Sequence, residues 1–300
     1  MNTSSDFRPL LYVPADRAGV KDFLCGPKPN DSFSIAVCLE DAVRPENRLP
    51  AAKTAAEWLV SLAAPRSWRC YLRPPDRELL AYLLDLPGIS NIDGFVVPKA
   101  TVSRLEEWKV ETAGRFPLIP ILETRDVLAP SGRAELVAAC VASGALIPRV
   151  RIGANDLFSL LGGLRRPRDR TIYETPVGYV IDGLIEAFSD SGVPLSGCVF
   201  DRVADLDTLR REVRDDVARG LYSKTALNPE QVSAIVAGYR PEASEVEEAH
   251  RILCPDAPAV FLLHGAMHEP ACHRAWAENV LQRAAAFQSN RSEGEPSSTS

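Results

Sequence analysis

Residues 94–123 read GFVVPKATVSRLEEWKVETAGRFPLIPILE, and this stretch decides which fold the chain adopts. Two short apolar runs, GFVVPK (94–99) and PLIPILE (117–123), enclose a longer segment of mixed polarity. Short, almost continuous apolar runs are typical of strands that are buried on both faces, as in parallel sheets. The segment between them predicts a helix that connects one strand to the next. The stretch is therefore a strand–helix–strand unit, which indicates a parallel sheet at the centre of the fold.

The same alternation extends in both directions from this unit. Amphipathic stretches at 51–64 and 204–220 carry apolar side chains at helical spacing, and the second ends at Gly220. Eight strands that alternate with helices predict an α/β protein with a (β/α)8 TIM barrel, whereas the alternative, a doubly wound sheet, usually has fewer strands. The other six apolar runs that predict strands are 10–14, 34–40, 69–74, 148–153, 197–201 and 224–229.

The chain is predicted to contain three segments of different character. Residues 1–240 hold the eight repeated units and form the predicted TIM-barrel catalytic domain. Residues 241–287 are predicted to form a C-terminal helical extension, with helices around 241–252 and 269–287. The last residues, 288–300, are polar and low in complexity, which predicts a disordered tail.

Composition and charge argue against several classes of protein. The 300 residues carry a formal net charge of -6, which disfavours a general nucleic-acid or anionic-membrane binder. No apolar run approaches the roughly 18–20 residues that span a bilayer. The first residues, MNTSSDFRPL, lack the features of a secretory signal, so we expect a cytoplasmic protein. The seven scattered cysteines form no CxxC pair and are interpreted as reduced thiols.

Polar side chains collect at the predicted carboxyl ends of the strands, where TIM barrels carry their active sites. Glu123 and Asp156 follow adjacent strands, and two carboxylates completed by water and substrate oxygens suit Mg2+ or Mn2+. Arg73 suits a substrate carboxylate, because its planar guanidinium group binds one with two parallel hydrogen bonds. A metal ion and an arginine facing one oxo acid would stabilise an enolate. The remaining strand-end groups are Asp16, Arg17, Glu40, Asp41, Lys99, Asp201, Lys224 and Asn228.

Most of these side chains also suit purely structural roles. Asp16 and Asp201 each precede a predicted helix and suit helix caps. Lys99 and Lys224 suit ion pairs with neighbouring acids. The pair Glu123 and Asp156 is the exception, since both match one metal-binding role.

Three histidines lie close together near the C-terminus of the chain. His264, His268 and His273 have the spacing H-x3-H-x4-H, which is compatible with a zinc site. Gly265 and Pro270 interrupt a continuous helix, and the segment lacks the HExxH signature, so zinc is disfavoured. A substrate or proton-transfer role for His268 and ordinary surface or packing roles stay open.

Motifs along the chain resemble, in order, those of a known family. CLEDAVRPENR (38–48) resembles D-L-E-D-A-V-x-P-x-x-K, and LIPILET (118–124) resembles I-x-x-L-I-E-T. IGANDLFSLLG (152–162) resembles G-A-E-D-L-x-x-D-L-G, and KTALNPEQV (224–232) resembles K-x-A-I-H-P-x-Q. On these motifs the chain is similar to the β subunit of citrate lyase and its relatives, in the HpcH/HpaI aldolase superfamily of phosphoenolpyruvate-type barrels.

The resemblance implies a Mg2+-dependent carbon–carbon bond lyase or aldolase. Such an enzyme acts through a metal-stabilised enolate on a small oxo acid, another small carboxylate or an acyl thioester such as a CoA ester. The resemblance implies Mg2+ on Glu123 and Asp156, with Arg73 on the substrate carboxylate. It also implies that Glu40 and Asp41 orient the waters of the metal and the nearby basic side chains.

The predicted catalytic residues are therefore Arg73, Glu40, Asp41 and His268. Arg17, Lys99 and Asn228 are predicted to join Arg73 in binding the substrate. The resemblance further implies a homo-oligomer, with a trimer favoured, and no nucleic-acid or membrane partner is expected.

The chain also departs from the family pattern. Asn155 replaces the Glu before the metal-binding Asp, and Asn228 replaces a histidine. Asp41 stands where HpaI-type aldolases have a histidine, which moves the chain toward the citrate-lyase branch. In HGAMHEP, His268 or Glu269 stands near an Asp that moves protons in some relatives. These departures motivate an alternative, a barrel that binds a metabolite or partner without turnover; phosphoryl transfer is disfavoured because no phosphate-binding loop is present.

Overall fold

The structure is a computed structural model that describes residues 7–26, 33–62, 66 and 68–288. Internal contacts divide it into two compact units. The first unit is Arg8–Ile235, and the second joins Phe7 to the chain from Val236 onward. Apart from Gln288, which ends the last helix, the predicted disordered tail lies outside the described residues. The predicted domain boundary at residue 240 stays a prediction.

Eight parallel strands form the centre of the first unit, and the (β/α)8 prediction is confirmed. They are hydrogen-bonded in the order β7-β6-β5-β4-β3-β2-β1-β8. A parallel bridge between Gly197 and Lys224 brings the two edges together, so the barrel is almost closed. The strands are β1 Leu10–Pro14, β2 Ser34–Cys38, β3 Cys70–Arg73, β4 Gly94–Val97, β5 Leu118–Leu122, β6 Val150–Ile152, β7 Leu195–Ser196 and β8 Thr225–Ala226.

The seventh strand lies earlier than the sequence predicts. The prediction of 197–201 was wrong, because the strand is Leu195–Ser196 and only the Gly197 bridge follows it. Beyond that bridge, side chains satisfy the backbone: Gln231 donates to the carbonyl of Phe200 and Arg166 to that of Val199. These side chains supply the hydrogen bonds that a neighbouring strand would otherwise give to the two carbonyls.

Helices follow the strands and are set by local capping. The side chains of Asp76, Thr101 and Asp205 accept hydrogen bonds from the first turns of the helices that follow them directly. Asp205, rather than the expected Asp201, caps the helix Leu206–Ala218. The helix predicted at 51–64 begins earlier, with Pro45 in its first turn. The helices of this part of the chain are α1 Val20–Cys25, α2 Pro45–Leu59, α3 Arg77–Leu84, α4 Val102–Glu111, α5 Pro130–Ala142, α6 Ala154–Leu160, α7 Pro176–Phe188, α8 Leu206–Ala218 and α9 Pro229–Tyr239.

The interior of the barrel is apolar below its carboxyl end. Leu10, Ala36, Tyr71, Val96 and Ile119 belong to one buried cluster inside the barrel. Because side chains alternate across a strand, residues two positions further along point inward one level higher. The next level is polar, and it forms the floor and walls of the site described below. All seven cysteines are free thiols, as predicted, and four of them are buried.

The second unit contains two helices and a hairpin. Helices α10 (Ala243–Leu253) and α11 (Pro270–Gln288) pack through Ala249, Ile252, Ala277 and Val280. The segment between them folds into antiparallel strands β9 (Phe261–Leu263) and β10 (Ala266–His268), which the sequence analysis does not predict. The turn residues His264 and Gly265 both have positive φ angles, which suits a two-residue hairpin and rules out a helix there. Of the helices that the structure describes, none is long and apolar enough to cross a membrane.

Candidate active site

A cavity of about 360 Å3 opens at the carboxyl ends of the barrel strands. It lies one level above the apolar interior, since Tyr12, Cys38 and Arg73 of its lining follow Leu10, Ala36 and Tyr71 by two residues. The position agrees with the general rule that TIM-barrel sites form at this end. The charged residues of its lining are Asp41, Arg73, Glu123, Arg151 and Asp156.

Glu40 connects two basic groups beside the cavity. Its side chain is almost fully buried at the end of β2. One carboxylate oxygen accepts a hydrogen bond from Nζ of Lys99 at 2.8 Å, and the other pairs with the guanidinium group of Arg73. Burial of a charge is tolerated when it is paired in this way. Glu40 therefore contacts both basic side chains, and its role in orienting them for catalysis stays a prediction.

Arg73 faces three acids from two strand ends. Besides Glu40, its Nη2 atom lies 3.4 Å from Oδ2 of Asp41 and 3.9 Å from Oε1 of Glu123. The guanidinium carbon lies 5.5 Å from the ring centroid of Tyr12, within cation–π range. Burial alone would lower the pKa of Arg73, but the surrounding groups outweigh it and raise the pKa. The group is therefore a fixed positive charge in the wall of the cavity.

Glu123 and Asp156 are brought to the same cavity from neighbouring strands. Oε1 of Glu123 accepts a hydrogen bond from the backbone N–H of Lys99 at 2.8 Å. Lys99 has a positive φ of 48°, and this backbone conformation accompanies the contact. A Cβ on Gly153 would overlap the carboxylate of Glu123, so glycine leaves that carboxylate the space it occupies. Asp156 lies in the first turn of α6, directly after Gly153 and β6.

The electrostatics of Glu123 indicate a site that suits a cation. The pKa of Glu123 is raised to about 7, chiefly by burial and also by the nearby charges of Asp156 and Glu40, while Arg73 and the Lys99 N–H oppose the rise. An added positive charge would favour the ionised carboxylate. Two carboxylates beside a cavity with room for water and substrate oxygens fit the donor set that Mg2+ prefers. Within the described residues no group of three or more His, Cys, Asp or Glu forms a ready-made metal cage.

The predicted substrate-binding residues separate into different environments. Lys99 lies beside the cavity, paired with Glu40. Arg17 is exposed and lines a separate surface groove with Lys21 and Trp58. Asn228 accepts a hydrogen bond from the N–H of Gln231 at 2.8 Å, so it caps α9. Of the three, the structure brings only Lys99 to the cluster of cavity charges.

His268 belongs to the second unit and is buried in its hairpin. Its Nε2 atom lies 3.3 Å from the carbonyl oxygen of Leu263 and 3.9 Å from Oε1 of Glu248. The ring stacks on Phe261 at 5.2 Å between centroids. His264 instead is part of the hairpin turn and pairs with Glu247. The catalytic role of His268 stays a prediction.

Sequence reasoning missed three residues of the cavity lining. Tyr12, Arg151 and Thr225 point into the cavity from β1, β6 and β8. Arg151 is 2% exposed and its guanidinium group donates a hydrogen bond to the hydroxyl of Thr225. The signal was present, because a charged residue in the middle of the short buried run RVRI is costly unless it has a function or a partner. Strand-end reasoning passed over it because Arg151 comes before the end of β6.

A second group of charges lies in the barrel unit away from this cavity. We call Arg166, Glu212, Asp216 and Lys224 the sealed cluster, since each is at most 1% exposed. Lys224 donates to both Glu212 and Asp216 at 2.9 Å, and Arg166 pairs with Glu212. Lys224 therefore pairs with neighbouring acids, the structural alternative considered for it. Asp201 pairs with Arg166 at 3.0 Å and is likewise held in an ion pair.

The fold and the cavity define an α/β barrel with opposed acidic and basic groups at its carboxyl end. Residues 7–288 match the family model described as C-C bond lyase of the TIM-barrel fold. Because this match covers almost the whole chain, the chain belongs to that family of carbon–carbon bond lyases.

Curated relatives of this chain carry two different activity names. A citrate lyase subunit β-like protein of Mycobacterium tuberculosis is 28% identical over 54% of this chain, and the match spans 61% of that relative's length. A (3S)-malyl-CoA thioesterase of Cereibacter sphaeroides is 24% identical over 82% of this chain and 81% of its own length. The lyase and thioesterase names show that activity varies among similar proteins.

Solved structures share the fold at low identity. CitE from Mycobacterium tuberculosis, crystallised with magnesium, acetoacetate and coenzyme A, superposes with a TM-score of 0.71 and 22% identity. That match covers 94% of this chain and 99% of the CitE chain. RipC from Yersinia pestis gives a TM-score of 0.60 at 21% identity, over 82% of this chain and all of RipC.

Proposed function

We propose that this protein is a Mg2+-dependent carbon–carbon bond lyase that acts on a small oxo acid or an acyl thioester through an enolate. The observation that carries the proposal is one cavity that holds Glu123 and Asp156 together with Arg73. Membership of the carbon–carbon lyase family supports the reaction class. The magnesium in similar solved structures supports the choice of metal, and Mn2+ fits the same donor set.

The charged groups of the cavity other than Arg151 each have a role in this proposal. A Mg2+ ion held by Glu123 and Asp156 would supply positive charge beside the substrate carbonyl, which favours enolate formation. Arg73 would bind the substrate carboxylate through its planar guanidinium group and fix its orientation. Glu40 would hold Arg73 and Lys99 in position, and the more exposed Asp41 would orient water and the same basic groups.

Deuterium exchange tests the proposal without knowledge of the full substrate pair. The protein is incubated in D2O with Mg2+ and, in turn, pyruvate, oxaloacetate, acetyl-CoA and propionyl-CoA, and NMR follows deuterium at the carbon next to the carbonyl. We expect Mg2+-dependent exchange with at least one compound, and its loss in Asp156→Asn. The matched control is Asp182→Asn, which neutralises a surface carboxylate paired with Arg219. Exchange that survives in Asp156→Asn would remove Asp156 from the mechanism.

Hydrolysis of a thioester is a second candidate. The malyl-CoA thioesterase relatives favour it, because their match covers more of this chain than that of the citrate lyase β-like proteins. The two reactions differ in their products, since a lyase leaves a shorter acyl-CoA and an oxo acid, whereas a thioesterase releases free CoA and the intact acid. A thiol-specific reagent with product analysis of a hydroxyacyl-CoA separates them. Binding of these compounds with neither product would favour the non-catalytic barrel.

The assembly and the role of His268 belong to the same proposal. A homo-oligomer, with a trimer favoured, is supported by the family resemblance, and light scattering with size-exclusion chromatography tests it. A monomer at all concentrations would remove it. If His268 moves a proton, His268→Gln should lower deuterium exchange without loss of Mg2+ binding. Unchanged exchange would leave His268 with a packing role.

A further inference from the structure

We propose that Arg151 binds a second carboxylate of the substrate, so that the small acid in this cavity is a dicarboxylate. The inference deepens the proposed function and rests on it for the location of the substrate. It begins with the place of Arg151 in the fold. The residue lies at the middle of β6, its side chain lines the cavity, and only 2% of the residue is exposed. A buried guanidinium charge is costly unless it is paired. A negatively charged ligand in the cavity would provide such a pair.

Arg151 and Arg73 share one aromatic ring. The guanidinium carbon of Arg151 lies 6.0 Å from the ring centroid of Tyr12, and that of Arg73 lies 5.5 Å from the same centroid. Two positive groups therefore line the cavity around a single tyrosine. A ligand that carries two negative groups satisfies both positions at once, because each guanidinium group offers a planar set of N–H donors that matches a carboxylate.

The two arginines have different neighbours. Arg73 contacts the carboxylates of Glu40 and Asp41, and it lies near the proposed metal ligand Glu123. Arg151 donates a hydrogen bond to the hydroxyl of Thr225 on β8. The first position combines a metal site with an arginine and suits the oxo-acid or hydroxy-acid end of a substrate. The second position, at the middle of β6, suits the far carboxylate.

The size of the cavity agrees with a small ligand of this class. About 360 Å3 lies within the usual range for pockets that bind small molecules. The lining between the charged groups includes Ile121, Ile152 and Val199, which suit the short carbon chain between two carboxylates. The structure thus assigns Arg151 as a specificity residue for dicarboxylates over monocarboxylates.

The chain offers a matched control beside the same strand. Arg149 lies two residues before Arg151, and it donates a hydrogen bond to Ser223 at 3.0 Å, as Arg151 does to Thr225. Arg149 comes just before β6 and Ser223 before β8, at the end of these strands remote from the cavity. The two arginines therefore have the same chemistry and similar partners, but only Arg151 lines the cavity.

The test compares two hydroxy acids that differ in one group. Malate and 2-hydroxybutyrate have the same carbon number and the same hydroxy-acid end, but malate carries a carboxylate where the other has a methyl group. Calorimetric titration into the full chain with Mg2+ gives both dissociation constants. We expect the wild type to bind malate at least about tenfold more tightly, the scale of a charge-assisted hydrogen bond. Arg151→Gln should remove most of this preference, and Arg149→Gln should keep it.

Two further variants guard against a folding defect. Arg151→Lys keeps the charge and should keep part of the preference, and Thr225→Val removes the hydroxyl that accepts a hydrogen bond from Arg151 and should weaken malate binding selectively. A wild type that binds malate no better than 2-hydroxybutyrate, or binds neither, would overturn the inference. So would an unchanged preference in both Arg151→Gln and Thr225→Val. The deuterium exchange described above uses pyruvate and acyl-CoA as well, so its result reports on the proposed function independently of this comparison.

Discussion

The barrel unit contains two groups of paired charges that are built from the same residue types but differ in access to solvent. We call Glu40, Asp41, Arg73, Lys99 and Glu123 the cavity cluster. In the cavity cluster the side chains of Lys99 and Asp41 are 44% and 56% exposed, whereas every member of the sealed cluster is at most 1% exposed. In the sealed cluster Glu212 and Asp216 surround Lys224 at 2.9 Å, which leaves no room for a ligand between them.

The difference separates stability from function. A fully enclosed set of paired charges contributes to the fold only as long as each partner remains, since an uncompensated buried charge is strongly destabilising. A partly open set can exchange a protein partner for a ligand, so its members keep their charge for use in binding. A lysine or arginine after a strand therefore contributes to stability when it joins the sealed cluster and is available for binding when it joins the cavity cluster.

The largest effect is expected for removal of the central lysine of the sealed cluster. Lys224→Met leaves Glu212 and Asp216 buried without the cation between them, and we expect it to lower the free energy of unfolding by about 3–5 kcal/mol. Denaturant unfolding followed by circular dichroism measures the change. A loss smaller than about 1 kcal/mol would show that this cluster is not needed for stability.

A pH-dependent effect is expected for Glu123 in the metal-free protein. Burial raises the pKa of Glu123 to about 7, from an ordinary value of 4.5, so the folded state holds a proton that the unfolded state releases between these two values. Stability is therefore lost as the pH rises through this window, by up to about 3 kcal/mol. Glu123→Gln should be more stable than the wild type at about pH 8 and should lose that advantage near pH 5.

Denaturant unfolding without Mg2+ at both pH values checks this expectation. Lys99 can donate its N–H to the amide oxygen of the variant as it does to the carboxylate, so the local hydrogen bond is retained. The control is Glu111→Gln, which alters a carboxylate paired with Arg77 at the surface. An equal stability difference between wild type and Glu123→Gln at both pH values would contradict the burial of a charged Glu123.

A smaller effect, on turnover, is expected for Glu40. Glu40→Gln removes the negative charge that holds Arg73 and Lys99, so we expect the rate of Mg2+-dependent exchange to fall about 10–100-fold, the usual range for residues that orient a metal site. The fold should persist, because Asp41 still faces both basic groups. Exchange at the wild-type rate would limit Glu40 to a structural role like that of Glu212.

The smallest effect on stability is expected for Lys99. Its ammonium group is partly exposed, and the buried Glu40 keeps Arg73 as a partner, so Lys99→Met should change the free energy of unfolding by less than about 1 kcal/mol. Set beside Lys224→Met in the same denaturant assay, this variant measures the contrast between the two clusters directly. Equal losses in the two variants would erase the distinction.

Much of the fold was predictable because it depends on local patterns. Short buried runs such as those of β4 and β5 are apolar in every residue, and apolar runs of this kind placed seven of the eight strands correctly. The seventh strand was misplaced. Arg166 and Gln231 donate hydrogen bonds to the carbonyls of Val199 and Phe200, and the local sequence pattern does not reveal such contacts between distant residues. The hairpin at His264 was missed because its strands are only three residues long.

The candidate site was predictable to the extent that strand ends converge. Glu40, Arg73, Lys99 and Glu123 were predicted from their positions after strands and meet in one cluster. Arg17 and Asn228 also follow strands, but Arg17 lines a separate groove and Asn228 caps α9. The direction of a side chain after a strand end depends on the conformation of the loop, which the sequence pattern does not give. Arg151 was missed since its place depends on the alternation within β6 rather than on the strand end.

The most direct test of the account is calorimetric titration of Mg2+ into the metal-free wild type, Glu123→Gln, Asp156→Asn and the surface control Asp182→Asn. The account predicts one Mg2+ per chain in the wild type and in the control, and affinity at least about tenfold weaker in each cavity variant, as expected when a charged ligand is lost. Mg2+ binding of unchanged affinity in both cavity variants would contradict the assignment of this cavity as the metal site.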